Sequence, residues 1–131
     1  MKTILVDAVN TLIIEGQGVF TEMHELLETF PNQKIILTNA NDEQMLKFGL
    51  DQAPYEVFSL KHNPDKTDPK YYEIMLETLK LNKEEVIYFE HNGQAVASAR
   101  SQGINTYHYD PEKKDLVALA EFLRENSEDK N

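Results

Sequence analysis

Thr3-Ile4-Leu5-Val6-Asp7-Ala8-Val9-Asn10-Thr11-Leu12 is the stretch whose reading decides the fold. Its first half is an apolar run with β-branched side chains, the pattern of a strand buried on both faces. The run stops at a carboxylate followed by small and turn-prone residues. In an open α/β sheet, ligands gather outside the carboxyl ends of parallel strands, so Asp7 stands where such a fold does its chemistry. Taken by itself, Asp7 reads equally as the start of a turn. The ends of later strands decide between the two.

Downstream, residues 12–18 hold two glycines, Gly16 and Gly18, and read as a loop or flap too short for a folded insertion. Phe20, Met23, Leu27 and Phe30 recur at helical spacing, with Pro31 beyond the end. Lys34-Ile35-Ile36-Leu37-Thr38 is a second buried strand, followed by Asn39. Asn41 with Gln44 predicts a capped short helix through Met45 and Phe48, closed by Gly49. Residues 55–60 form a third, less apolar strand, expected at a sheet edge.

A polar loop carrying Lys61, Pro64 and Lys66 leads to Asp68 and Pro69, the cap and first residue of a helix with Tyr72, Met75, Leu76 and Leu79 facing inward. Asn82 and Glu85 suggest one capped turn before the fourth strand, Val86-Ile87-Tyr88-Phe89, which ends at Glu90-His91-Asn92. A small-residue helix over residues 95–100 follows, with Gly103 after its end. Residues 105–109 are a fifth strand, and Asp110-Pro111 is expected to begin a last helix with Leu116, Leu119, Phe122 and Leu123 as its buried stripe. Residues 1–125 read as one domain and 126–131 as a polar, fraying tail. Strands alternate with helices, and right-handed crossovers then give an α/β three-layer sandwich around a five-stranded parallel sheet.

Composition bounds the partners. The 131 residues suffice for one core but not two. Thirteen basic against 23 acidic residues give a net charge of −10, which opposes nucleic acid and anionic membrane surfaces. With no cysteine there is no disulfide framework, thiolate metal site or thiol nucleophile. No apolar run reaches membrane-spanning length, and Asp7 interrupts the N-terminal candidate for a signal sequence, so a cytoplasmic location is expected.

The strand ends carry Asp7, Thr38-Asn39 and Glu90-His91-Asn92, with Lys66 just before a helix start. A carboxylate to attack, a hydroxyl to orient oxygens, a lysine to neutralise charge and a second carboxylate to hold a divalent ion are what phosphoryl transfer onto an aspartate requires. Singly, each has a plainer role: Thr38 a capping hydroxyl, Lys66 a solvated loop charge, Glu90 a turn former. In order and placement together, however, they resemble the haloacid dehalogenase (HAD) superfamily across nearly the whole chain. Asp7-Ala8-Val9-Asn10-Thr11 is similar to its Asp-x-Asp-x-Thr motif, Thr38 matches its second-strand Thr or Ser, and Lys66-Thr67-Asp68-Pro69 resembles its Lys-Pro-Asp-Pro form. Glu90-His91 stands where paired acids precede a small-residue helix.

The resemblance implies a Rossmannoid sheet of order 5-4-1-2-3 without a cap domain. It implies Asp7 as nucleophile, Thr38, Asn39 and Lys66 around phosphate, and Asp7, the Val9 carbonyl and Glu90 around Mg2+. The third motif position, an acid that protonates the leaving group in the family, is Val9 here, and losing general acid catalysis costs on the order of 10²–10⁴ in rate. Mg2+ demands near-ideal octahedral geometry, so Glu90 and His91 in place of paired Asp residues imply a weak or absent site. His91 could replace a missing acid or base, or simply form a turn. Dehalogenases of the superfamily also lack the second Asp and use no metal, but they carry an Asp where Ala95 stands and bury substrate under a cap.

The expected function is therefore an aspartyl-nucleophile phosphatase or phosphotransferase restricted to good leaving groups. It would act on a small phosphorylated molecule or a phosphoprotein, with a homo-oligomer able to serve as lid. The alternative is a catalytically inactive HAD-like protein that binds phosphate or a protein. A receiver domain would need its acceptor Asp at the end of the third strand, where Ser59-Leu60-Lys61 stands, and a dinucleotide site would need a glycine-rich first turn.

Overall fold

The computed structural model describes residues 1–128. Among these residues seven strands and five α-helices follow one another as β1 (Thr3–Asp7), β2 (Ile13–Ile14), β3 (Gly18–Val19), α1 (Thr21–Glu28), β4 (Lys34–Thr38), α2 (Asp42–Lys47), β5 (Glu56–Ser59), α3 (Pro69–Leu79), β6 (Val86–Glu90), α4 (Gly93–Ser101), β7 (Asn105–His108) and α5 (Leu116–Asn126), with short 3-10 turns at Leu50–Gln52 and Lys83–Glu85. Five of the strands form one parallel sheet in the order β5-β4-β1-β6-β7. This is the expected 5-4-1-2-3 order read from the other edge, and β5 lies at the edge as its composition implied.

Successive residues of a strand face opposite sides, and here both sides are covered. Ile4 and Val6 of β1, with Ile36, Ile87 and Phe89, pack with Met23 and Leu27 of α1 and Leu119 and Leu123 of α5. Leu5, Ile35, Leu37 and Tyr88 pack with Tyr71, Tyr72 and Met75 of α3 and Ala99 of α4. Each large aliphatic or Phe side chain among them contributes roughly 1.5–3 kcal/mol by leaving water, and Ile4, Leu5 and Val6 accordingly present apolar side chains to both faces ahead of Asp7.

That alternation also aims the site. Asp7 shares the parity of Leu5, and Glu90 that of Tyr88, so both carboxylates leave the sheet on the α3 side. The register Val6↔Phe89 sets them abreast, and the loop before α3 brings Lys66 to them. Asn41 and Gln44 form the expected capping box of α2, and Asp68 caps α3 with Pro69 at its start.

Three expectations are corrected. Residues 12–18 are not all loop: Ile13–Ile14 and Gly18–Val19 pair as an antiparallel hairpin, with Gly16 at positive φ in its turn. The last helix begins at Leu116, not after Asp110. Asp110 accepts from the backbones of Glu112 and Lys113 to close an isolated turn, Lys114 then takes a positive φ that breaks it, and Asp115 caps α5 through Ala118 N. The expected fraying from residue 126 starts too early, because α5 includes Asn126 and Ser127 is buried. Ser127 O accepts from Lys2 N at 2.8 Å and from Asn32 Nδ2 at 3.0 Å. Residues 129–131 of that tail lie outside the described residues.

Candidate active site

The chain reverses after β1 at Asn10, whose φ of 71° is one that Asn tolerates better than most residues. This tight turn returns Thr11 to β1, where its hydroxyl donates to Asp7 Oδ2 at 2.6 Å. The same oxygen receives the His91 backbone N–H at 3.2 Å and His91 Nδ1 at 2.5 Å. Among the described residues, Asp7 Oδ1 receives only Lys66 Nζ, at 2.6 Å.

Lys66 spends all three of its protons. Besides Asp7 it donates to Glu90 Oε1 at 2.7 Å and to the Leu37 carbonyl at 3.2 Å. Asn39 Oδ1 fixes the loop by accepting from Lys66 N at 2.7 Å, so its side chain positions Lys66 rather than standing free. Burial by itself would push Lys66 down, but the charges of Asp7 and Glu90 outweigh it and hold the ammonium well above its usual range.

Glu90 is completely buried. Its Oε1 accepts from Lys66 and from the Tyr88 hydroxyl, and its Oε2 from the backbone N–H groups of His91 and Asn92, each at 2.9 Å. A carboxylate has about four lone-pair sites, and in Glu90 all are taken. Burial would raise its pKa, but the Lys66 ammonium and the His91 bond draw it well below the usual carboxylate range. His91 is pushed up to about 9 by its bonds to Asp7 and then Glu90, against a smaller effect of burial. The bonds to Asp7 and Glu90 thus favour the protonated form of the ring.

These groups floor a cleft of about 210 Å³ at the carboxyl ends of β1, β4 and β6. Asp7, Val9, Thr38, Asn39, Lys66, Glu90 and His91, the residues singled out from the sequence, all line it. Thr38 Oγ1 accepts from Ala40 N at 3.2 Å. The Val9 side chain packs partly against the core and offers no proton.

Sequence reasoning missed Thr11 and Tyr88 as partners of the two carboxylates. Strand parity puts Tyr88 on Glu90's face and would have found it. It also missed His62 and Gln44 on the cleft wall, joined by a 2.7 Å bond between His62 Nε2 and Gln44 Oε1. No local pattern announces that pair, since it joins a loop to a helix 18 residues away.

Asp7, Glu90 and His91 each bring an oxygen or nitrogen to within 4.8 Å of the others, a spacing at which such a group could hold a metal. Mg2+ in particular does not fit the arrangement as it stands. Glu90 has no lone pair to give, and a ring nitrogen, not an oxygen, lies between the two carboxylates, whereas Mg2+ takes oxygen ligands in strict octahedral geometry.

No protein-family model and no curated protein matches the sequence. Solved structures do match. A HAD family enzyme from Bacteroides thetaiotaomicron, an aspartate-to-alanine mutant in complex with magnesium and inorganic phosphate, superposes with a TM-score of 0.70 at 12% identity, over 91% of this chain and 98% of that one. An uncharacterized protein from Corynebacterium glutamicum gives 0.66 at 12% identity, over 95% and 96%. A haloacid dehalogenase-like protein of unknown function from Agrobacterium tumefaciens gives 0.54 at 17% identity, over 69% of this chain and 44% of that one. At these identities the likeness speaks for architecture alone, and with the sheet order above it shows that this chain has the haloacid dehalogenase-like fold, without a cap domain among the described residues.

Proposed function

We propose that the protein accepts a phosphoryl group on Asp7 and hydrolyses it, using donors such as acyl phosphates whose leaving group departs without a proton. The observation that carries this reading is the asymmetry of the Asp7 carboxylate. Oδ2 is anchored by Thr11 and by the ring and backbone of His91, whereas Oδ1, among the described residues, is held by Lys66 alone and keeps a lone pair to attack with.

In the forward step Oδ1 bonds to phosphorus while the bond to the leaving carboxylate breaks, that oxygen taking the electron pair. The Lys66 proton given to Oδ1 can then turn to a phosphoryl oxygen. The Thr38 hydroxyl proton, which has no acceptor among the described residues, can do the same. Water completes the cycle by hydrolysing the aspartyl phosphate. Since Val9 cannot act as an acid, alkoxide leaving groups lose about 10²–10⁴ in rate. An uncapped cleft also makes few contacts, which suits a phosphoprotein, or a small phosphorylated molecule under a lid supplied by a second subunit.

The test is incubation with acetyl phosphate followed by intact mass and phosphorus NMR. The wild type should carry one labile phosphoryl group, and Asp7→Asn none. A second reading, a non-catalytic binding module, is favoured by the completeness of the resting network, in which Lys66 and Glu90 are satisfied with no ligand. It prevails if the wild type shows no adduct.

A further inference from the structure

We propose that His91 takes the seat of a divalent cation, so that the centre is held together by a protein side chain and is independent of Mg2+. The geometry is that of a bridge. Its Nδ1 lies 2.5 Å from Asp7 Oδ2 and 3.2 Å from Glu90 Oε2, and its backbone N–H addresses the same two oxygens at 3.2 Å and 2.9 Å. Asp7 and Glu90 are the two carboxylates of the group whose spacing could hold a metal.

Everything around the ring supports the substitution. The remaining lone pairs of Glu90 are closed by Lys66, Tyr88 and Asn92. Val9 and Ala95 add no acid to the cleft they line. The ring already fills the space between the two carboxylates, and Lys66 Nζ spans their other oxygens, so a divalent ion would have to expel the ring. The position is also braced from behind, because the His91 carbonyl faces His108 Nε2 at 3.0 Å and Asn92 caps α4 through Gln94 N and Ala95 N. His91 is thus a positioning residue that orients Asp7 through Oδ2 and leaves Oδ1 to react.

The experiment is a Mg2+ titration of the full chain, freed of metal with a chelator, by calorimetry and by NMR of the Asp7, Glu90 and His91 resonances. The wild type should show no saturable binding up to roughly 10 mM, while His91→Asp, which removes the clamp and adds an oxygen ligand, should gain binding at least about tenfold tighter. Should His91→Asp fail to fold, ring-nitrogen NMR of the wild type decides: the His91 nitrogen resonances should be unmoved by MgCl2. Saturable Mg2+ binding by the wild type overturns the proposal, as does a His91 Nδ1 that ligates Mn2+ or Zn2+. The corollary for turnover rests on the function proposed above, and it is that phosphorylation by acetyl phosphate is unchanged by EDTA. A protein that takes no phosphoryl group at all defeats that function but leaves the metal titration to decide on His91.

Discussion

Lys66 Nζ donates to Glu90 Oε1 at 2.7 Å in a place where the lysine side chain is 9% exposed and the glutamate not at all. The same ammonium serves Asp7, so one cation keeps two buried carboxylates from facing each other unpaired. Lys66→Met should cost roughly 3–5 kcal/mol, the range for breaking a buried ion pair. Adding Glu90→Gln to it should recover part of the loss. Urea denaturation of both variants measures this, and a loss near zero for the single variant would mean that the pair is solvated.

Stability should peak in mildly acidic solution. Glu90 is depressed from 4.5, so its contribution is present above that pH and is lost as pH falls through its folded value. His91 is raised from 6.5 to about 9, so its contribution is whole below 6.5 and is lost as pH rises through 9. Both are whole between pH 4.5 and 6.5. Between 6.5 and 9 the unfolding free energy from urea denaturation should fall with a slope of at most about 1.4 kcal/mol per pH unit, less where solvent screens a ring that is a quarter exposed. His91→Asn should remove that slope, and a variant that keeps it would assign the slope to another group.

Val9→Asp restores a carboxyl on the cleft wall. If the missing proton is what confines the leaving group, hydrolysis of an alkyl phosphomonoester should rise by about 10²-fold or more, while acetyl phosphate turnover changes little. Steady-state kinetics on the two substrates would separate them, and an equal change in both would locate the restriction elsewhere.

Asp115 and Asp110 make a controlled pair. Asp115→Ala should cost about 1 kcal/mol, the usual loss of an N-cap, with a matching loss of helix signal by circular dichroism. Asp110→Ala, which opens only an isolated turn, should cost clearly less. The reverse ranking would move the start of α5 back to Asp110.

The fold was legible because hydrophobic patterning and capping act locally. β1, β4 and β6 announce themselves as apolar runs ending in polar residues, and Asn41–Gln44 and Asp68–Pro69 mark helix starts within four residues. The hairpin of β2 and β3 was missed because two strands of two residues carry no periodicity. The start of α5 was misplaced because Asp110-Pro111 and Asp115 are both plausible caps, and only the backbone reversal at Lys114 chooses between them. In the candidate site, Asp7, Thr38 and Glu90 could be placed from strand order, and Lys66 from its position just before the α3 cap. That His91 lies across both carboxylates could not, since nothing in Glu90-His91-Asn92 says which way its ring turns.

The enclosure of the Lys66 ammonium between Asp7 and Glu90 also bears on how fast an anion arrives. A cation paired in this way casts little field beyond its cleft, so an approaching phosphorylated compound meets chiefly the acidic surplus of a chain whose net charge is −10. Dissolved ions shorten the reach of that repulsion to about 10 Å at 0.1 M. Raising the ionic strength should therefore quicken the encounter, the opposite of what salt does to a protein that draws anions in with a basic surface.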